Sequence, residues 1–297
     1  MVRFKLLEPE DLSEAISLLA EYRENVKIIA GGQGLLPLLK HRQIKPGYLM
    51  NIKGLAGLEY INDDDNSLRI GALTTHRTIQ TSDLMKKKFP VITEMEERLG
   101  CVQTRNWGTL VGNLCSASPT GDPAPVLIAL KARVKAACTR GERWIPLDSF
   151  FIGYQRTALE LGEVVVELEI PILPSRTGAA YHKESMRWMD SPIASVAAVT
   201  SLDEELKAIT DARILLQAVG LTPVRAKKAE KVVIGQNIND GLLEEMATVA
   251  ATEACPISDV YGSEEYKRDM VRVAANGVVS KAVERARASQ SSARSSI

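Results

Sequence analysis

The sequence predicts an α+β protein: an N-terminal α/β unit in two lobes, about 1–55 and 56–177, then a smaller α+β unit over 178–288. Three observations predict it. Through the first half, short β-branched runs alternate with stretches of helical periodicity. Pro171, Pro174 and Gly178 punctuate the chain where that alternation stops, which marks a linker. Beyond them come three strand-like runs and then three helical ones, the order of an antiparallel sheet backed by helices. A length of 297 residues agrees with a prior of about two domains.

Each element follows from local chemistry. Residues 10–20 carry Glu10 and Asp11 in a first turn and apolar side chains at Leu12, Ala15, Ile16 and Leu19, the spacing of a helix. Val26-Lys27-Ile28-Ile29-Ala30 reads as a buried strand that ends at Gly31-Gly32-Gln33-Gly34, with a helix from Leu35. Another strand is expected at 48–52, and a hairpin pairing 58–61 with 68–72 around an acidic turn. Helices are expected at 75–81 and 91–99. Residues 104–125 differ in kind, holding Gly108, Gly112, Gly121, Pro119, Pro123 and Pro125 without a charge run, and read as a long functional loop. A helix at 125–132 and strands at 133–137, 142–147 and 164–170 complete the first unit. The second is expected to hold strands at 179–185, 193–201 and 211–219, helices at 223–233, 240–254 and 264–288, and a polar, frayed end at 289–297.

Composition removes several classes of function. There are 37 Lys+Arg against 37 Asp+Glu, so no basic excess speaks for nucleic acid. The runs Lys86-Lys87-Lys88 and Asp63-Asp64-Asp65 read as solvated turns. No stretch reaches the length of a membrane span, and the N-terminus lacks the apolar core of a signal peptide. Cys101, Cys115, Cys138 and Cys255 stand far apart and His41, His76 and His182 form no HExxH pairing, so neither an iron–sulfur cluster nor a zinc site is expected. Free thiols point to a cytoplasmic protein.

Two glycine-rich constellations remain. The first is a strand, then Ala30-Gly31-Gly32-Gln33-Gly34, then a helix; small residues there let backbone N–H groups approach an anion. It is neither GxGxxG nor GxxxxGK[ST], and a plain tight turn reads it equally well. The second is Gly108-Thr109-Leu110-Val111-Gly112-Asn113, followed by Ala117-Ser118-Pro119-Thr120-Gly121-Asp122. Glycine backbone, a hydroxyl, an amide and a carboxylate without a cation suit a diphosphate held by neutral donors and a sugar held by Asp122. The same residues also serve as turn formers, with Asp122 capping a helix near Pro123. Two glycine loops, one in each lobe, are the right set to pinch one diphosphate.

These residues also carry a resemblance. Ala30-Gly31-Gly32-Gln33-Gly34-Leu35-Leu36-Pro37-Leu38-Leu39-Lys40 resembles the AGGQSLLPxMK loop of the FAD-binding medium subunits of molybdenum hydroxylases. That group includes carbon monoxide dehydrogenase, the xanthine dehydrogenase FAD subunit and 4-hydroxybenzoyl-CoA reductase. Gln103-Thr104-Arg105-Asn106-Trp107-Gly108-Thr109-Leu110-Val111-Gly112-Asn113 is similar to its QVRNxGTIGGN stretch. Ile70-Gly71-Ala72-Leu73-Thr74-Thr75, Phe151-Ile152-Gly153, residues 163–171, Tyr181-His182-Lys183 and Glu265-Tyr266-Lys267-Arg268 extend the match, in order, along nearly the whole chain.

The resemblance implies a two-lobed FAD-binding domain of the vanillyl-alcohol-oxidase (PCMH) type, followed by the family's C-terminal domain. Ile29, Ala30, Gly31, Gly32, Gln33, Gly34, Leu35 and Leu36, with Thr109, Leu110, Val111, Gly112 and Asn113, would hold the FAD pyrophosphate. Asp122 matches a hydroxyl-binding acid, Leu99 a position close to the cofactor, and Lys183, ahead of His182, a lysine near the isoalloxazine. It further implies an electron-transfer subunit of a multi-subunit oxidoreductase. Molybdopterin would sit on a large partner and [2Fe–2S] clusters on a small one, in a dimer of heterotrimers, with no catalytic side chain and no metal on this chain.

Three departures stand out. Gly34 replaces a serine, and Ser191 stands where some relatives carry an aromatic residue. Val111 replaces a motif glycine; a β-branched residue resists positive φ and would crowd the diphosphate. That change motivates the alternative of a non-catalytic assembly protein with a decayed flavin site. A self-contained flavoprotein oxidase is the other alternative.

Overall fold

The computed structural model describes residues 3–294. The first lobe runs β1 (Lys5–Leu7), α1 (Leu12–Tyr22), β2 (Val26–Ile29), α2 (Leu35–Lys40) and β3 (Tyr48–Asn51), its strands forming a parallel sheet in the order β1-β3-β2. Helix α1 is started by Asp11, whose carboxylate accepts the Glu14 N–H at 2.8 Å.

The second lobe begins with β4 (Ile61–Asp64) and β5 (Ser67–Gly71). Six short helices follow: α3 (His76–Thr81), α4 (Asp83–Lys88), α5 (Pro90–Arg98), α6 (Val102–Trp107), α7 (Leu110–Ser116) and α8 (Pro123–Ala129). Strands β6 (Arg133–Cys138) and β7 (Gly141–Pro146), the small hairpin β8 (Phe151–Gly153) and β9 (Arg156–Thr157), and β10 (Val164–Pro171) complete it. The main sheet has the order β4-β5-β10-β6-β7 and is antiparallel throughout. Central β10 divides its side chains between two cores. Val164 and Val166 join Ala15, Leu19 and Met50 of the first lobe, whereas Val165, Leu168 and Ile170 face the helices of the second.

The last part of the chain is β11 (Thr177–Glu184), β12 (Ala194–Leu202), β13 (Ile209–Gln217), β14 (Val224–Arg225), α9 (Lys227–Val233), α10 (Asp240–Glu253) and α11 (Glu264–Arg294). Its four strands pair antiparallel in sequence order. Both faces of this sheet are covered, so its strands read as continuous apolar runs. Tyr181, Ala197 and Leu215 project into the core shared with α5 and α8, and Ala180, Ala198 and Ile214 into the core under α9, α10 and α11. A polar row, Lys183–Ser195–Gln217, crosses three strands in register on the face toward the second lobe.

The α+β architecture is the expected one, with five local corrections. The first hairpin strand begins at Ile61 and absorbs Asn62, Asp63 and Asp64, because Leu58 and Tyr60 are engaged by the turn after β5: Leu73 and Gly71 donate to their carbonyls. The lysine run is the last turn of α4, where positive charge suits the helix dipole, and Lys88 reaches Asp63 at 2.6 Å. Residues 104–125 are largely helical. Residues 223–225 are β14 rather than helix, because Val224 pairs with Leu216. The polar end continues α11 to Arg294, and 295–297 lie outside the described residues.

Candidate cofactor-binding site

The two glycine loops meet. A Cβ on Gly31 would collide with the Trp107 carbonyl oxygen and stand 2.7 Å from Gly108 Cα, so only glycine permits this approach. A Cβ on Gly34 would stand 3.6 Å from Ser116 Cβ, on the far side of the second loop. One loop turns out of the parallel sheet and the other links α6 to α7, so the contact joins the two lobes. The backbone N–H groups of Gly31, Gly32, Gln33 and Gly34 make no hydrogen bond among the described residues. Gly32 is buried and Gly31 half-buried, while Gln33 and Gly34 are exposed. Four consecutive donors without a protein partner at a lobe junction, three of them on glycines, fit a diphosphate.

The second loop is ordered by its own side chains. Thr109 is the N-cap of α7, its hydroxyl accepting the Gly112 N–H at 3.0 Å, and its carbonyl accepts from Asn113. Leu110 donates its N–H to Thr74 O at 3.2 Å and buries its side chain completely. Val111 overturns the crowding expected of it. It lies in helix α7 with negative φ, and its side chain is buried in the second-lobe core, turned away from the loop surface. The glycine usual there is not required by this backbone, and the motive for a decayed site disappears with that.

The charged residues form one buried cluster. Asp122 precedes α8 but does not cap it; its carboxylate accepts from Tyr181 Oη at 2.8 Å and from Lys183 Nζ at 2.8 Å. Lys183 is 1 % exposed, and its ammonium also donates to Arg98 O at 2.9 Å, while Arg98 Nη2 donates back to Lys183 O at 2.8 Å. Lys183 is thus not a strand lysine facing solvent. Burial pushes the Asp122 carboxyl above its usual range, and the Lys183 ammonium, the Tyr181 hydroxyl and Arg98 pull it back. Two of the ammonium's three donors are taken, and a carboxylate with two partners keeps acceptor capacity. His182 projects to the opposite face of β11, exposed, and reaches Glu184 at 3.4 Å. Leu99, next to Arg98, buries its side chain in the core. In the β11–β12 loop that carries Ser191, Trp188 lies exposed beneath the Arg98 guanidinium at 4.3 Å.

Sequence reasoning missed the supports behind these residues. Arg105, inside the second motif, clamps Leu99 O and Gly100 O at 2.7 and 2.6 Å and reaches Gln80 at 3.2 Å. His76 and Glu96 form a buried pair at the foot of the second loop. The motif flagged the arginine. Glu96 gave no signal, because a lone glutamate in an amphipathic helix reads as a solvent residue. Among the described residues, no group of three or more His, Cys, Asp or Glu could hold a metal, and no helix is long and apolar enough to cross a membrane.

Two lobes closing glycine loops on each other, followed by an antiparallel domain that sends a buried lysine to Asp122 of the second lobe, define an FAD-binding electron-transfer protein. The model of the FAD-binding domain of molybdopterin dehydrogenases matches residues 2–173, and that of the CO dehydrogenase flavoprotein C-terminal domain matches 179–282. The chain belongs to this family and is an FAD subunit of the molybdopterin-dependent oxidoreductase class. It is 34 % identical to the 6-hydroxypseudooxynicotine dehydrogenase complex subunit alpha of Paenarthrobacter nicotinovorans, over 97 % of each chain. It is 35 % identical to the glyceraldehyde dehydrogenase medium chain of Sulfolobus acidocaldarius, over 91 % of this chain and 95 % of that one. The solved carbon monoxide dehydrogenase of Hydrogenophaga pseudoflava superposes with a TM-score of 0.92 at 29 % identity, covering 95 % of this chain and 98 % of that one.

Proposed function

We propose that the FAD diphosphate lies between Gly31–Gly34 of the first lobe and Thr109–Asn113 of the second, with Asp122 and Lys183 toward the flavin end. The reading rests on one observation above the others: four consecutive backbone N–H groups stand unpaired where Gly31 abuts the Trp107–Gly108 backbone. Bound FAD supplies exchange of electrons between one-electron centres and a two-electron acceptor or donor. The chain's residues bind and orient it. The first loop offers donors without a cation, Asp122 takes a ligand hydroxyl on its remaining lone pairs, and Lys183 places positive charge near the ring. Attraction to negative charge raises the affinity of the reduced form and shifts the potential upward. Residues 1–177, in lobes of 1–55 and 56–177, form the cofactor domain, and 178–288 brace it through β11.

The chain is the medium subunit of a heterotrimer, paired as a dimer of heterotrimers in the cytoplasm. A large subunit carries molybdopterin and the substrate, and a small one carries [2Fe–2S] clusters. Affinity capture of the tagged full chain from its native host tests this. Two stoichiometric partners, one releasing molybdopterin and one with iron–sulfur absorbance, are expected. A flavin-loaded chain that elutes alone and oxidises a substrate unaided would overturn the subunit reading.

A further inference from the structure

His76 and Glu96 are 2 % and 0 % exposed, with Nδ1 at 3.0 and 2.9 Å from the two carboxylate oxygens. Neither belongs to the cofactor site described above. Burying such a pair is expensive, and an apolar pair of equal volume would be at least as stable, so its retention asks for a positional role. Its surroundings supply one. The His76 N–H donates to Gly108 O at 3.0 Å, beside the Leu110 N–H to Thr74 O bond and the Thr75–Thr109 bridge, so the start of α3 pins the start of the second glycine loop. The imidazole flanks the same glycine: a Cβ on Gly108 would stand 2.9 Å from Thr104 O, 3.1 Å from His76 Cδ2 and 3.4 Å from Gln33 Cγ of the first loop. The ring thus lies beside Gly108 where Gly31 approaches.

We propose that His76, oriented by Glu96, is a positioning residue for FAD: its ring sets the height of Gly108 and with it the separation of the two glycine loops. The proposal rests on the cofactor placement given above. Glu96 fits the part of orienter. Burial raises its carboxyl, and the attractions of His76 and Arg105 oppose that rise. Arg105 in turn holds the Leu99–Gly100 turn at the end of α5, so the ring, the carboxylate and the clamp fix α3, α5 and α6 as one base under the loop.

The full chain is titrated with FAD, with riboflavin as a probe lacking phosphate. Wild type takes up one FAD. Glu96→Gln keeps an acceptor for the ring and stays within about threefold of wild type, whereas His76→Gln, without the ring, weakens FAD by about tenfold or more and leaves riboflavin unchanged. Equal FAD affinity in folded His76→Gln, or equal weakening of FAD and riboflavin, overturns the proposal alone. A wild-type chain that takes up no FAD overturns the cofactor placement itself. A third measurement needs no substitution: the His76 Nδ1–H signal in a spectrum of 15N-histidine-labelled wild type shifts on saturation with FAD, and a signal that stays in place contradicts the role.

Discussion

Val111 shows how a side chain's meaning depends on which way its helix turns it. Read as a letter in a glycine motif, it crowds a phosphate; placed as the second residue of α7, it fills the second-lobe core. Val111→Gly should therefore destabilise the chain by about 2–4 kcal/mol, from lost burial and a glycine in a helix, measured by urea unfolding. FAD affinity should not improve; tighter binding would restore the crowding idea. Lys183 and Asp122 make the second point at this scale. The two charges are paired inside the domain junction, so removing one strands the other. Lys183→Met should cost about 3–5 kcal/mol of stability, and Asp122→Asn with Lys183→Met should cost less than the sum of the two single changes. Strict additivity would mean that the pair is not coupled.

At the scale of elements, the long loop expected at 104–125 proved to hold all of α7 between the end of α6 and the start of α8. The misreading has a physical source. Gly108, Gly112, Asn113 and Ser116 are poor helix formers, and propensity is a weak prior for six- and seven-residue helices held by tertiary contacts. Thr109 is the local device that starts α7 despite this. Thr109→Ala should cost about 1 kcal/mol, with Thr109→Ser near wild type, and a neutral alanine would show that packing alone sets the helix start. The glycine loops themselves, the strand leading into the first and the buried runs of β10, β12 and β13 were legible because Gly-rich turns after β-branched runs leave few alternatives. The polar cluster of Tyr181, Lys183, Asp122 and Arg98 was legible only in part. Its members lie up to 85 residues apart and meet through sheet register and helix packing, which no local spacing encodes.

The whole molecule is organised as a sheet-to-sheet relay of cores. The first lobe packs on one face of the central sheet, the helices of the second lobe on its other face, and those helices on the C-terminal sheet, which α11 closes from behind. Every charged residue proposed for the flavin end lies inside this stack, whereas the unpaired donors lie at the lobe junction. On the proposed placement, cofactor uptake depends on how closely the two glycine loops meet, and Gly31 is where they meet. The most direct measurement is an equilibrium titration of FAD into the purified full chain beside Gly31→Ala and Gly54→Ala, the latter a glycine with open space where a Cβ would go. Wild type and Gly54→Ala should each saturate at one flavin per chain with the same affinity, and Gly31→Ala should weaken binding by about tenfold or more, about 1.4 kcal/mol. Equal affinity of all three proteins would contradict the claim that the two glycine loops jointly hold the cofactor.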